Sequence, residues 1–193
     1  NEVENLRPLC QRVHEVLAPT KWTYELILVD DGSSDGSSEL LAELHAQDDK
    51  LKVLRFRRNF GQTAALAAGF EYAHGAVIVS LDGDLQNDPI DIPRLLAKLD
   101  EGYDLVNGWR VNRQDPFLSR RLPSQIANSI ISLTTRVKLH DYGCTLKAFR
   151  KEVAKGLKLY GEMHRFIPAL AGDMGARIAE LPVMHHARKH GTS

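Results

Sequence analysis

Residues 25–36 read ELILVDDGSSDG, and residues 76–84 read AVIVSLDGD. Each stretch is a short aliphatic run that ends in acidic residues and a glycine-containing loop, which predicts a buried strand followed by a tight turn. Open parallel sheets bind ligands at the carboxyl ends of their strands. The two stretches therefore predict an α/β sheet with an acidic ligand site along one edge, formed by Asp31, Asp82 and Asp84.

Helices and strands alternate on both sides of these stretches. Apolar spacing predicts helices at 3–17, 37–46, 62–73, 89–100, 118–137 and 162–171, and further strands at 51–56, 103–109, 145–149 and 178–183. The alternation over the first 110 residues favours a mostly parallel central sheet with helices on both faces. Since no repeat or low-complexity linker interrupts the chain, we interpret residues 1–193 as a single domain.

Composition excludes several classes of protein. The 193 residues are 43% hydrophobic, which argues against a disordered chain, and the formal net charge is zero, which argues against a nucleic-acid partner. Cys10 and Cys144 have no partner at a metal-ligand spacing, and we interpret both as small apolar residues in a reducing compartment. No run reaches the roughly 18 consecutive apolar residues of a membrane-spanning helix.

The Asp82-x-Asp84 pair is the strongest candidate for a metal site. Two carboxylates on one turn, with the Gln86 amide oxygen in reach, provide the hard oxygen ligands that Mg²⁺ or Mn²⁺ prefers. A purely structural role is the alternative for Asp30, Asp31 and Asp35, because aspartate after a strand often caps a turn or a helix.

Arginines supply candidate contacts to phosphate. Arg110, Arg120 and Arg121 fall in a stretch that contains a single acidic residue and leads into apolar positions of a predicted helix. This segment is a candidate for contact with a membrane surface, although apolar residues at helical spacing more often pack in a core. Near the C-terminus, Arg188 and His190 are candidates for anion contacts.

Six motifs in order give the chain a resemblance to a known family. They are VDDGSSDGS (29–37), RNFGQ (58–62), LDGDLQNDP (81–89), DYGCTLKAFR (141–150), GEMHRFIPAL (161–170) and HxxRxHGTS (185–193). Together they resemble bacterial dolichol-phosphate-mannose-synthase-like enzymes of glycosyltransferase family 2, over essentially the whole chain.

The resemblance implies a GT-A fold and an inverting glycosyltransferase. Such an enzyme moves a sugar from a UDP- or GDP-sugar to a polyprenyl phosphate, such as undecaprenyl or dolichyl phosphate, and uses Mg²⁺ or Mn²⁺. A family member with a soluble or glycan acceptor is the alternative within this class. Two alternatives outside it are a sugar-nucleotide pyrophosphorylase, for which no Gly-rich phosphate loop is visible, and a Mg²⁺-binding phospho-receiver domain.

The resemblance also implies roles for individual residues. Asp84, Asp141 and Arg121 are expected to be catalytic, and Asp82, Asp84 and Gln86 are expected to bind the metal. Substrate contacts are expected from Glu2, Asp31, Asp82, Arg110, Arg120, Arg188 and His190. No general base is obligatory, because a phosphate monoester near neutral pH already carries about −1.5 to −2 charges.

The resemblance extends to segments beyond the two ends of the chain. Family members open with a strand that ends in Pro-x-Tyr-Asn-Glu, of which Asn1 and Glu2 correspond to the last two residues. They continue after Gly-Thr-Ser into amphipathic and transmembrane helices. We therefore expect this chain to be soluble or peripheral and the whole protein to lie at the cytoplasmic face of a membrane. A homo-oligomer is compatible with the sequence.

Overall fold

A computed structural model describes residues 1–111 and 137–188 of the chain. Its helices are α1 (Val3–Leu17), α2 (Ser37–Gln47), α3 (Gln62–Tyr72), α4 (Ile92–Asp100), α5 (Lys151–Gly156) and α6 (Ile167–Asp173). Its strands are β1 (Leu26–Asp30), β2 (Leu51–Arg55), β3 (Val77–Ser80), β4 (Leu105–Trp109), β5 (Lys147–Arg150) and β6 (Ile178–Pro182). Short 3₁₀ turns at Pro89–Asp91 and Met163–Phe166 lead into α4 and α6. The helix predicted at 118–137 falls almost entirely outside the described residues.

The α/β class predicted from the sequence is confirmed, and the strands lie in two sheets. β1 and β2 form a parallel pair. The second sheet has the order β3-β5-β4-β6, in which β4 and β6 are parallel and β5 is antiparallel to β3 and β4. β3, β4 and β6 therefore run in one direction, and the short strand β5 runs against them between β3 and β4.

Helices cover both faces of the second sheet. Because successive residues of a strand point to opposite faces, Val106 and Ala148 pack in one core cluster. This cluster also contains Leu9 and Leu17 of α1 and Leu95 and Leu99 of α4. Leu105 and Phe149 pack in the other cluster, where α3, α5 and α6 contribute residues such as Phe70. The sheet is thus enclosed between two layers of helices.

The two sheets are separated by a cavity of about 890 Å³ between β1 and β3. Aliphatic residues of both strands and of α1 line it, and Asp31 and Asp82 lie at one end. Within residues 1–111 and 137–188, β1 pairs with β2 alone and β3 pairs with β5 alone. The edges of β1 and β3 that border the cavity therefore have no strand partner in this part of the chain.

Two further sequence expectations concern cysteines and membranes. Cys10 and Cys144 are both buried and unpaired, as expected for small apolar residues. The helices of the described residues are all too short or too polar to cross a bilayer.

Candidate active site

The ends of β1, β3 and β4 bring the predicted acidic and basic residues to one region of the molecule. β1 ends at Asp30, the loop after β3 carries Asp82 and Asp84, and Arg110 follows β4 directly. The segments that follow these strands carry the side chains, although β1 lies in the first sheet and β3 and β4 lie in the second.

Asp30 and Asp31 have different roles at the end of β1. Asp30 is buried and accepts hydrogen bonds from the Ser33 amide at 2.9 Å and from the Ser38 hydroxyl. Burial opposes the charged form of Asp30, but these hydrogen bonds outweigh it and lower the pKa of Asp30. Asp30 therefore holds the β1–α2 turn in place, which is the structural role left open from the sequence.

Asp31 holds the loop after β2 to the end of β1. Its Oδ1 accepts from the Phe60 amide at 2.6 Å, and its Oδ2 accepts from the Gly61 amide at 2.8 Å. The RNFGQ segment is thereby held beside β1, and Gln62 extends from it to donate to Asp82 Oδ1 at 3.0 Å. Asp31 thus remains a predicted substrate contact, at the mouth of the cavity.

Asp82 and Asp84 lie on a turn whose backbone is strained. Leu85 has φ 59°, a left-handed conformation that is uncommon for residues other than glycine and is often found at functional sites. Asp84 Oδ1 accepts from the Gln86 amide at 3.1 Å. Burial, and next the charge of Asp84, raise the pKa of Asp82 to about 6. The turn therefore concentrates negative charge that a bound cation would neutralise.

The donor set of this turn fits a magnesium-like ion. Within residues 1–111 and 137–188, no cluster of three or more His, Cys, Asp or Glu side chains is placed to hold a metal. Mg²⁺ is often held by only one or two carboxylates together with water and substrate phosphates. The Asp82 and Asp84 carboxylates, with the Gln86 amide, match that incomplete type of site and not an all-protein cage.

Two predicted residues from opposite ends of the chain, Glu2 and Arg188, meet at the turn that carries Asp84. Arg188 forms an ion pair with Glu2, and its Nη1 lies 3.9 Å from Asp84 Oδ2. The Glu2 amide donates to Ser37 Oγ at 3.2 Å, which fixes the N-terminus beside the loop after β1. The segment that carries Arg188 is further held by His186, whose amide donates to the Gln86 carbonyl at 2.7 Å.

Arg110 and Asp141 form a buried ion pair with each other. Arg110 Nε lies 2.7 Å from Asp141 Oδ2, and Nη2 lies 2.9 Å from Oδ1, in a two-pronged contact. Their side chains are only 13% and 4% exposed. Asp141 is also held by its amide, which donates to Glu180 Oε1 at 2.9 Å. The two residues were predicted separately, as a substrate contact and a catalytic group, and the structure places them in one unit.

Several residues of the region were not singled out from the sequence. The Thr145 hydroxyl accepts from Asn87 Nδ2 at 3.0 Å. Lys147 is buried within the strand β5. A lysine among the apolar residues of a predicted strand was a signal available in the sequence. The predicted residues Arg120, Arg121 and His190 lie outside the described residues.

The comparisons with known protein families and proteins agree on one family. Residues 1–157 match the model of glycosyl transferase family 2. The whole chain aligns at 47% identity with dodecaprenyl-phosphate galacturonate synthase of Rhizobium johnstonii. It aligns at 41% identity with undecaprenyl-phosphate 4-deoxy-4-formamido-L-arabinose transferase of Pseudomonas fluorescens. The chain spans 58% and 57% of the lengths of these two relatives.

Solved structures confirm the expected GT-A fold. Glucosyl-3-phosphoglycerate synthase from Mycobacterium tuberculosis, in complex with Mn²⁺ and UDP-glucose, superimposes with a TM-score of 0.66 at 20% identity. The match covers 98% of this chain and 69% of that one. A mannosyltransferase from Pyrobaculum calidifontis, in complex with GDP-Man and Mn²⁺, gives a TM-score of 0.66 at 17% identity over 94% of this chain and 52% of that one.

Proposed function

Because the chain belongs to glycosyl transferase family 2, we propose that it is the catalytic domain of an inverting enzyme that transfers a sugar from a nucleotide diphosphate sugar to a polyprenyl phosphate. The observation that carries the proposal is the alignment of the whole chain with two relatives that are both named as polyprenyl-phosphate sugar enzymes. Membership of the family argues against the pyrophosphorylase and phospho-receiver interpretations.

The geometry supports a division of labour among the residues of the site. Asp82, Asp84 and Gln86 would hold Mg²⁺ or Mn²⁺, which stabilises the departing nucleoside diphosphate as a Lewis acid. Asp31 and Glu2 would contact the nucleotide. Two of the structural neighbours bind Mn²⁺ with a nucleotide sugar, which supports the same arrangement here.

The acceptor needs positioning more than deprotonation, since its phosphate is already anionic. Arg188 lies beside Asp84 and is placed to contact phosphate oxygens once a cation neutralises the carboxylates. The Arg110–Asp141 pair is buried and held by two contacts, so its two charges largely neutralise each other. Asp141 would orient the acceptor or stabilise positive charge that develops on the sugar, and no proton has to pass through it.

The lipid side of the proposal rests on Arg120 and Arg121, and His190 is proposed as a further contact to a substrate anion. We expect Arg120→Ala and Arg121→Ala to raise the KM for the polyprenyl phosphate more than the KM for the nucleotide sugar. Equal increases in the two KM values would instead assign these arginines to the diphosphate. Attachment of the whole protein to the cytoplasmic face of a membrane, and assembly of several copies, belong to the same proposal.

A strand that precedes Asn1 is also part of the proposal. It is supported by the facing edges of β1 and β3 and by the cavity between them. A strand in that space would complete one continuous sheet. In a chain lengthened at its N-terminus, Leu28→Ala should then destabilise the fold by about 3 kcal/mol, as at a closed core site. If the added residues do not enter the cavity, Leu28→Ala should cost only about 1 kcal/mol, as expected for a residue that borders open space.

The decisive experiment compares Asp84→Asn with Asp173→Asn in a transfer assay. Asp84→Asn should lower transfer by at least about 10²-fold with an unchanged melting temperature, because it removes a metal-binding charge while its side-chain oxygen can still accept from the Gln86 amide. Asp173 is an exposed carboxylate at the end of α6, so its substitution serves as the matched control. Chelation by EDTA should stop turnover, and Mg²⁺ or Mn²⁺ should restore it. Full activity of Asp84→Asn would contradict the metal assignment, and transfer to a soluble acceptor alone would contradict the lipid acceptor.

A further inference from the structure

Lys147 is a buried lysine at the start of β5, an interior strand of the second sheet. It lies on β5 in register with Ser80 of β3 on one side and with Asn107 of β4 on the other. Only 3% of its surface is exposed. A buried ammonium group loses its hydration, which is costly unless hydrogen bonds replace the lost water.

The structure gives each proton of the Lys147 ammonium group an acceptor. Nζ donates to Asn107 Oδ1 at 2.5 Å, to the Tyr142 carbonyl at 3.1 Å and to the Cys144 carbonyl. An ammonium group has three donors, so this set satisfies it fully. Asn107 Nδ2 in turn donates to the Asp141 carbonyl at 2.8 Å. Lys147 and Asn107 together hold three carbonyls of the loop formed by residues 141–146.

The 141–146 loop connects the two halves of the candidate site. At one end, Asp141 forms the two-pronged pair with Arg110. Near the other end, Thr145 Oγ1 accepts from Nδ2 of Asn87, just after the metal-binding turn, at 3.0 Å. The Thr145 carbonyl accepts from Oγ of Ser80, just before that turn, at 2.6 Å. The position of this loop therefore sets the spacing between the Arg110–Asp141 pair and the metal-binding turn.

The loop also packs so closely against β4 that it has little room to move. A Cβ atom at Gly108 would lie 2.8 Å from Cys144 Sγ and 2.8 Å from the Leu146 carbonyl. Cys144 and Leu146 are fully buried. Packing thus fixes the loop against the sheet, while the contacts of Lys147 and Asn107 fix which of its carbonyls face inward.

We propose that Lys147, acting with Asn107, is a positioning residue that sets the Arg110–Asp141 pair at a working distance from the Asp82–Asp84 turn. This inference rests on the proposed sugar transfer, because the distance matters only if both halves act on one pair of substrates. Lys147 itself touches no substrate. Its effect on the reaction passes through the 141–146 loop.

The test uses Lys147→Met and Lys147→Arg, with Lys151→Met as the matched control. Lys151 follows the same strand, but its ammonium is exposed and donates to the His74 carbonyl, so its loss should leave activity unchanged. Lys147→Met should lower kcat on the order of 10²-fold, the cost of a displacement of about 1 Å between reacting groups. The KM for the nucleotide sugar should change by less than about 3-fold, and Lys147→Arg should recover part of kcat.

Hydrogen exchange provides a readout that does not depend on catalysis. In Lys147→Met, amides of residues 141–146 should exchange at least about tenfold faster, while those of α1 keep the wild-type rate. If the wild type transfers no sugar, the proposed function fails, and the exchange rates still decide whether Lys147 fixes the loop.

A second variant keeps the inference testable if Lys147→Met does not fold. Asn107→Leu removes the acceptor for Lys147 and the donor to Asp141 but retains a similar volume, and it should reproduce the kcat loss. Where both single variants fold, the double variant should lose no more than either alone, since both act through one loop. Wild-type kcat and wild-type exchange in either folded variant would overturn the inference. So would equal changes in kcat and KM with no change in exchange.

Discussion

The space bordered by strands 26–30 and 77–80, here called the β1–β3 seam, is packed far less tightly than the part of the second sheet formed by β4, β5 and β6. The first four residues of β1 are aliphatic and yet remain only partly buried, and they border a cavity. In β4, Leu105, Val106 and Asn107 have no exposed surface. Leu28 of β1 and Leu105 of β4 are the same type of residue, so the difference in their burial comes from their neighbours. The comparison shows that a strand's hydrophobicity does not determine how tightly it is packed.

Truncation of one leucine in each region should give the largest contrast. Leu105→Ala should lower the free energy of unfolding by about 4 kcal/mol, because it opens a cavity in a closed core. Leu28→Ala should cost only about 1 kcal/mol, since Leu28 already borders open space. Urea denaturation of both variants measures the two costs. Equal costs would mean that the seam is as closed in solution as the second sheet.

A methyl group added at Gly108 should have the next largest effect. Its Cβ would lie 2.8 Å from both Cys144 Sγ and the Leu146 carbonyl, and the backbone carbonyl cannot turn aside. Gly108→Ala should therefore destabilise the fold by about 3 kcal/mol. Thermal unfolding checks the prediction. A variant as stable as wild type would show that the 141–146 loop can move away from β4.

The pH dependence of stability should report on Lys147. Burial lowers the pKa of Lys147 from its usual value of 10.5 to about 8. Between pH 8 and 10.5 the unfolded chain binds more protons than the folded chain, so stability should rise with pH. The neutral amine has only two donors, so kcat should fall as the pH passes about 8, where Lys147 of the folded chain loses its proton and the loop loosens.

Paired measurements of Lys147→Met and Lys151→Met separate this effect from other titrations. The rise in unfolding free energy should disappear in Lys147→Met and persist in Lys151→Met. A rise that persists in Lys147→Met would assign it to another group.

The smallest expected effect is a gain in stability at the seam. Gly69 lies within α3, and a Cβ there would lie 3.7 Å from Val29 Cγ2, an ordinary van der Waals contact. Gly69→Ala should stabilise the fold by about 0.5–1 kcal/mol, because alanine loses less backbone entropy in a helix. Denaturant midpoints measure this gain. A loss of stability would show that α3 packs more tightly on β1 than the structure indicates.

Much of the fold could be predicted from local patterns. The boundaries of α1, β1 and β2 agree with the sequence within about one residue, since each has a strong period and a clear turn signal. The helix α5 was not predicted, because its six residues are too few to show a helical period. The direction of β5, against both of its neighbours, was not predicted either. Periodicity identifies a strand but does not reveal which way it runs in the sheet.

The candidate site, like the fold, could be predicted from the sequence only in part. The sequence alone determined the chemistry: an Asp-x-Asp turn after a strand, motif order across the chain, and arginines for phosphate. Only the tertiary structure decided which residues pair with each other. Arg110 forms an ion pair with Asp141, and Glu2 pairs with Arg188, which lies 186 positions further along the chain. Lys147 is buried. The physical reason is that residue type and spacing report on a few neighbouring turns of chain. The burial and pairing of a charge depend on which distant segments the fold packs around it.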